Sequence, residues 1–354
     1  VDLAATNKRQ ISVRLVKGAY WDSEIKWAQQ KGLADYPVFT SKAATDVSYL
    51  VCAQKLLNAR AYIYPQFATH NAYTVASILQ MDDSGQGYEF QRLHQMGQVL
   101  YDQIIKKKQI NCRVYAPIGK HVDLLAYLIR RMLENGANSS FVNNIVDTTV
   151  AIDSLLVDPV VKLQADSSYI EVPLPRDLYQ NEFSPPRINA RGIELADKNE
   201  LIKLKDEITS VLTTGLNYLP PTATLTIHNP ANLQEIVGAV IVDSEHSIEQ
   251  KLQQAQHAFL SWSNMATAQR CQYVGLIADK LEDNSAELIA LCIKEAGKTL
   301  TDSMAEVREA VDFCRYYSRQ AEQLFADNAI VARGVVLSIS PWNFPLAIFV
   351  GQLS

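Results

Sequence analysis

The 354 residues carry 33 Lys and Arg against 38 Asp and Glu, a net charge of -5 at pH 7. That balance gives no basic footprint for nucleic acid, and no apolar run approaches the length that spans a bilayer. The five cysteines are scattered with no C-x-x-C pair, and the six histidines show no metal-ligand spacing. A disulfide framework, a zinc knuckle and a metal site are therefore not expected, and a reducing, cytoplasmic compartment is.

In chain order, "ISVRLV" (11–16) reads as a buried strand, and residues 22–31 and 41–58 read as helices. "AYIYPQF" (61–67) is a second strand, with a helix from about Ala72. "YEFQRL" (88–93) is a third, with a helix over 97–107 whose Lys106–Lys108 end reads as solvated. "CRVYA" (112–116) is a fourth. It leads into a helix whose Leu125, Leu128, Ile129, Met132 and Leu133 have core spacing and which stops at Asn135–Gly136. Repeated βα units mean a parallel sheet. Half of a (β/α)₈ barrel and an open doubly wound sheet both fit the pattern.

Over 151–195 prolines recur and periodicity fades, which marks a connecting segment. A helix near 195–216 follows, then "TLTIHNPANLQEIVGAVIV" as two strands about an N-P turn. Residues 245–326 read as three or four helices, "GVVLSIS" (334–340) as a strand, and "PWNFPLAIF" as a turn into a helix. The chain opens on Val1 a few residues before a strand and closes on Ser354 inside a helix. It is expected to be a piece of a longer protein.

In both parallel architectures ligands sit at the carboxyl ends of the strands. The residues there are Lys17–Trp21, Ala68–Asn71, Gln91 and His94, and Tyr115 with Pro117 and Gly119 beyond. On the helix after the fourth strand Tyr127, Arg130, Arg131 and Glu134 fall at i, i+3, i+4 and i+7, so they share one face. That face reads either as a solvated stripe or as an anion clamp, in which two guanidiniums grip a carboxylate or phosphate. The helix follows its strand directly, which favours the clamp. "EAGKT" (295–299) fails as a phosphate loop because Cys292 stands where glycine is needed. Cys292 itself reads as a packing residue on an apolar helix.

Together, "RLVKGAYWDSEIK", "YPQFATHNA", "YEFQRLHQMG", "CRVYAPIG", "LLAYLIRRMLENGANSSFVN", "EAGKT", "AEVREAVDFCRYY" and "SPWNFPLAIF" resemble the bifunctional proline utilization A family over almost the whole chain. That family joins an FAD-binding proline dehydrogenase barrel to an NAD-dependent glutamate semialdehyde (pyrroline-5-carboxylate) dehydrogenase. The resemblance implies an α/β chain in three parts: the C-terminal half of the barrel (1–150), a linker (151–195) and the N-terminal part of the aldehyde dehydrogenase fold (196–354).

By the same resemblance Arg130 and Arg131 would hold the proline carboxylate, Tyr127 would close over the ring, and Tyr20 and Tyr115 would shape the pocket. Fixing the carboxylate would orient the substrate C–H bond towards the flavin. Arg14 would reach the flavin N5 region. Lys17, Gly18, Ala19 and Trp21 would line the cofactor, and Thr40 and Lys42 would lie near its phosphates or adenosine. Thr69, His70, Gln91 and Glu134 would complete that site. Asn343 would donate to the oxyanion of aldehyde oxidation, a contribution of about 3 kcal/mol for one preorganised donor. Ile339, Pro341 and Trp342 would border NAD. The family also implies membrane quinone as electron acceptor, a homo-oligomer, and a cytoplasmic enzyme peripheral at the inner membrane. The first barrel strands and the catalytic cysteine of the second module are missing, so the 354 residues alone are expected to be inactive, with open sheet edges.

Two other readings compete. One is an aldehyde dehydrogenase whose upstream half only docks or scaffolds. The other is a truncated, non-catalytic interaction module.

Overall fold

The computed structural model describes residues 1–18, 20–82, 84–108, 110–136, 151–165, 172–214, 222–325 and 330–354, without the side chains of 107, 108, 134–136, 152 and 154. The chain forms two compact units, one of residues 1–24 and 38–172, the other of residues 25–37 and 173–354.

The elements begin α1 (Asp2–Thr6), β1 (Ile11–Val16), α2 (Trp21–Lys31), α3 (Lys42–Asn58), β2 (Ile63–Ala68), α4 (Ala72–Met81), β3 (Glu89–Leu93), α5 (Gln98–Lys108), β4 (Cys112–Tyr115) and α6 (His121–Gly136). The four strands form one parallel sheet in the order β1-β2-β3-β4. Two helix starts are fixed by side chains: Ser41 Oγ accepts from Ala44 N and Asn71 Oδ1 accepts from Thr74 N. Such caps satisfy N–H groups that the first turn leaves open.

Register explains the arrangement of helices. Leu15, Phe67, Phe90 and Cys112 lie side by side across the four strands. They join Tyr49, Leu57, Val75, Ile78, Tyr88 and Tyr101 in one apolar cluster supplied by α3, α4 and α5. The alternate positions, Arg14, Gln66 and Glu89 in one row and Gln91 beside Arg113 in the next, face the other way. The helices α3, α4 and α5 all lie on this one face of the parallel sheet, as they do around a barrel; a doubly wound sheet carries helices on both faces.

The helix α6 corrects one expectation. Leu125, Leu128, Ile129, Met132 and Leu133 are all exposed, Met132 by 74%. Their spacing does make an apolar face, but no described element covers it. Spacing reports which residues share a face and says nothing of what lies against them.

The chain continues with α7 (Ile152–Leu155), α8 (Pro159–Ala165), a 3₁₀ turn at Pro175–Asp177 and α9 (Lys198–Thr214). β5 (Leu225–Asn229) and β6 (Asn232–Val240) pair as an antiparallel hairpin about Pro230. Then come α10 (Glu245–Asn264), α11 (Thr267–Asp283), α12 (Ser285–Ala296), α13 (Leu300–Leu324) and α14 (Ala347–Leu353). α13 is the hub of this unit: its Val307 packs with Leu204 and Ile289, and its Ala310, Val311 and Cys314 pack with Ala278 and Val350. The expected strand over 334–340 forms no strand among the described residues, with Leu337 80% exposed. A strand needs a neighbouring ladder, and its apolar run alone cannot supply one.

Candidate functional site

The carboxyl ends of β1 to β4 bring most of the expected residues of the first unit together. Arg14 donates from its guanidinium to the Tyr115 hydroxyl and lies 5.1 Å from the centre of that ring. Lys17 Nζ meets Asp46 Oδ1 at 2.5 Å and Thr74 Oγ1 at 3.3 Å, while Lys42 Nζ holds Asp46 Oδ2 at 2.7 Å. Burial pulls the Lys17 ammonium below its ordinary value even with Asp46 opposing. Burial also works against the Asp46 carboxylate, yet the two lysines outweigh it and hold that group below its usual range. At Gly18 a side chain would meet nothing within 4 Å, so the end of β1 faces open space. The Trp21 indole N–H donates to the Phe39 carbonyl at 2.9 Å, just before Thr40.

At the end of β2, Thr69 accepts from Asn71 N at 3.1 Å through its hydroxyl and from the Tyr101 hydroxyl at 2.7 Å through its carbonyl. His70 Nε2 accepts the Leu93 N–H at 3.2 Å, which assigns the ring proton to Nδ1. Burial first, then Arg131 and Arg92, lower its pKa to about 4, so the ring is neutral at physiological pH.

Gln91 on β3 donates to Glu89 Oε1 at 2.8 Å, and Gln66 to the same oxygen at 2.9 Å. Arg113 closes the group with two 2.8 Å bonds to the same carboxylate. On α6, Arg131 sits 5.4 Å from the centre of the Tyr127 ring, one turn away. Arg130 is exposed and makes no ion pair among the described residues. Tyr20 is 57% exposed. Ala19 and the Glu134 side chain lie outside the described residues.

Sequence reasoning missed Asp46, Glu89, Gln66 and Arg113. The alternation in "YEFQRL" does set Glu89 and Gln91 opposite Tyr88 and Phe90. The partners of Glu89 come from neighbouring strands, and only register reveals them.

In the second unit Asn343 lies in an exposed turn. Ile339, Pro341 and Trp342 precede it, with Trp342 83% exposed, and the Ile339 carbonyl accepts from Gln352 Nε2 at 3.0 Å. Cys292 is buried, and burial raises its thiol pKa to about 11. No described helix is long and apolar enough to cross a membrane.

Residues 1–144 match the proline dehydrogenase family model and residues 218–354 the aldehyde dehydrogenase family model. All of this chain aligns with the Bifunctional protein PutA of Salmonella typhimurium at 45% identity over 379 residues, and with that of Rhizobium meliloti at 40% over 370. The chain spans 28% and 30% of the length of those two relatives. Among solved structures, a variant of Bradyrhizobium japonicum Proline Utilization A superposes with a TM-score of 0.85 at 42% identity, over 99% of this chain and 34% of that one. Bdellovibrio bacteriovorus proline utilization A, inactivated by N-propargylglycine, gives 0.84 at 30% identity, over 99% and 38%. The chain carries a proline dehydrogenase segment followed by the start of an aldehyde dehydrogenase segment, and along its whole length it is similar to the bifunctional PutA proteins.

Proposed function

We propose that the protein carrying this chain is an oxidoreductase of proline catabolism. It oxidises L-proline to pyrroline-5-carboxylate in its first module and glutamate semialdehyde to glutamate in its second. The observation that carries this reading is the convergence of Arg14, Tyr115, Lys17, His70 and Gln91 at one end of a four-stranded parallel sheet. In this reading the chain has three parts: barrel half 1–150, linker 151–195, aldehyde dehydrogenase part 196–354.

The residues present fit a bound FAD. Gly18 leaves room at the end of β1, and Lys17 and Lys42 supply cations steadied by Asp46. Neutral His70, Thr69 and Gln91 add polar groups, and Trp21 a flat apolar wall. In the second module the open backbone from Ile339 to Trp342 fits the border of an NAD site. When bound, FAD and NAD supply the hydride acceptors; the protein supplies binding, orientation and charge.

Arg130 and Arg131 hold the substrate carboxylate, with Tyr127 steadying Arg131 through its ring face. Arg14, tied to Tyr115, presents a fixed cation at the end of β1. Asn343 donates from its amide to the oxygen that gains negative charge during aldehyde oxidation. Membrane quinone as acceptor, a homo-oligomer and a cytoplasmic enzyme peripheral at the inner membrane belong to the same reading, on resemblance.

The test is Arg130→Met and Arg131→Met in the full-length protein, followed by proline oxidation with an artificial acceptor. Each is expected to lower kcat/KM for proline about a hundredfold while flavin content stays unchanged. Unchanged proline oxidation in both variants would sink the clamp.

A further inference from the structure

The aldehyde dehydrogenase segment buries one carboxylate whose two oxygens hold different parts of the chain. Glu306, on α13, is 2% exposed. Its Oε1 meets Lys298 Nζ at 2.8 Å. Its Oε2 accepts the N–H groups of Leu346 at 3.2 Å and Ala347 at 2.9 Å. Those amides sit just past the P-W-N-F-P turn, where the chain enters α14 and backbone donors lack helical partners. The Lys298 ammonium also lies 5.2 Å from the centre of the Phe344 ring, and Phe344 is the residue after Asn343. The buried pair therefore grips the turn twice: beyond it through two amides, and inside it through an aromatic face.

Lys298 is aimed by its own neighbours. Gly297 adopts φ +65°, a left-handed conformation that glycine takes without strain, and ends α12. The Lys298 N–H then donates to the Cys292 carbonyl at 3.3 Å. Burying a carboxylate is costly unless its oxygens are paired and hydrogen-bonded, and here both are.

We propose that Glu306, with Lys298, is a positioning residue that fixes the Asn343 turn for aldehyde oxidation. The proposal rests on the reading of Asn343 as the oxyanion donor. Neither Glu306 nor Lys298 touches substrate in this role. They act by holding the amide where charge develops, and a donor of this kind contributes only at the right place.

The experiment uses Glu306→Gln in the full-length protein, which keeps the shape and a neutral acceptor and removes the ion pair. The expected result is a fall of about tenfold in kcat for glutamate semialdehyde oxidation with KM changed less than about twofold. Hydrogen exchange at the Leu346 and Ala347 amides should speed up by about tenfold as their acceptor weakens. Adding Glu306→Gln to Asn343→Ala should cost nothing more. Unchanged kcat and unchanged exchange would overturn the proposal, and so would a full extra loss in the double variant. If Asn343→Ala alone leaves kcat intact, the oxyanion reading fails, and the exchange measurement still decides whether Glu306 holds the turn. If Glu306→Gln does not fold, Lys298→Gln breaks the same pair from the other side and is read by the same two measurements.

Discussion

Glu89 and Arg113 meet on neighbouring strands as a two-point ion pair, Nε to Oε1 and Nη2 to Oε2, each at 2.8 Å. The carboxylate is 3% exposed, while the arginine side chain is 61% exposed. Hydrogen bonding from Arg113, against the opposing effect of burial and with help from Gln91 and Gln66, holds the Glu89 carboxyl below its ordinary value of 4.5. A depressed folded-state pKa contributes stability that is present above the unfolded value and lost as pH falls through the folded one. Urea unfolding of wild type should therefore weaken more steeply below pH 4.5 than that of Glu89→Gln. Parallel slopes for the two proteins would refute the assignment.

His70 gives a second pH signature. Its folded pKa of about 4 lies below the ordinary 6.5, with burial as the main cause. Between those values the unfolded chain binds more protons than the folded one, so stability drops as pH falls from 6.5 towards 4. The ring C–H resonances of His70, followed by NMR, should stay constant from neutral pH down to about pH 5. Protonating Nε2 would break the bond from Leu93 N, so His70→Phe should loosen the end of β3.

Phe90 tests the helix-covered face. It is fully buried and packs at ring-centre distances of 5.8 to 6.0 Å on Phe67, Tyr88 and Tyr101. Phe90→Ala should cost about 3–5 kcal/mol of unfolding free energy, and Phe90→Leu much less. Chemical denaturation monitored by tyrosine fluorescence would compare the two, and near-equal losses would argue against a tightly packed cluster.

Cys292 should be inert. Burial hides its sulfur and pushes the thiol up to about 11, so almost no thiolate exists near neutrality. Iodoacetamide labelling of the native protein, read by mass spectrometry, should modify partly exposed Cys52 well before Cys292. Faster labelling of Cys292 would mean that α12 opens locally.

The strand and helix order of the first unit was legible because each element carries its own period, as "ISVRLV" and "YEFQRL" do for strands. What the sequence left open was pairing. Barrel and open sheet differ in whether helices cover one face or both, and the register that sets Leu15, Phe67, Phe90 and Cys112 against α3, α4 and α5 is what distinguishes them. The apolar faces of α6 and of 334–340 were visible, but their covers are not among the described residues. The Glu306 network was illegible for a related reason: Lys298, Glu306 and Ala347 come together only through the packing of three helices. The Arg130–Arg131 pair was singled out by its helical spacing and its place after β4, whereas Asn343 was found by resemblance alone.

The second unit takes residues 25–37 from far up the chain, and this governs how the protein can be made. Gly192 N–H donates to the Gly32 carbonyl at 2.7 Å, Lys31 pairs with Glu194 at 3.0 Å, and Arg308 Nη1 reaches the Gln30 carbonyl at 3.1 Å across 278 positions. The fit is tight: a side chain at Gly192 would place its Cβ 1.6 Å from the Lys31 carbonyl oxygen. During synthesis, residues 25–37 leave the ribosome long before residue 173 exists, and they wait for a closure whose entropic cost grows only slowly with loop length but whose search is slow. No single cut can release the second unit whole: a protein starting at 173 lacks the segment that Gly192 and Arg308 are shaped to receive. Linear trimming at that point should give a helical assembly with one side unfinished, and adding residues 25–37 as a separate peptide should complete it.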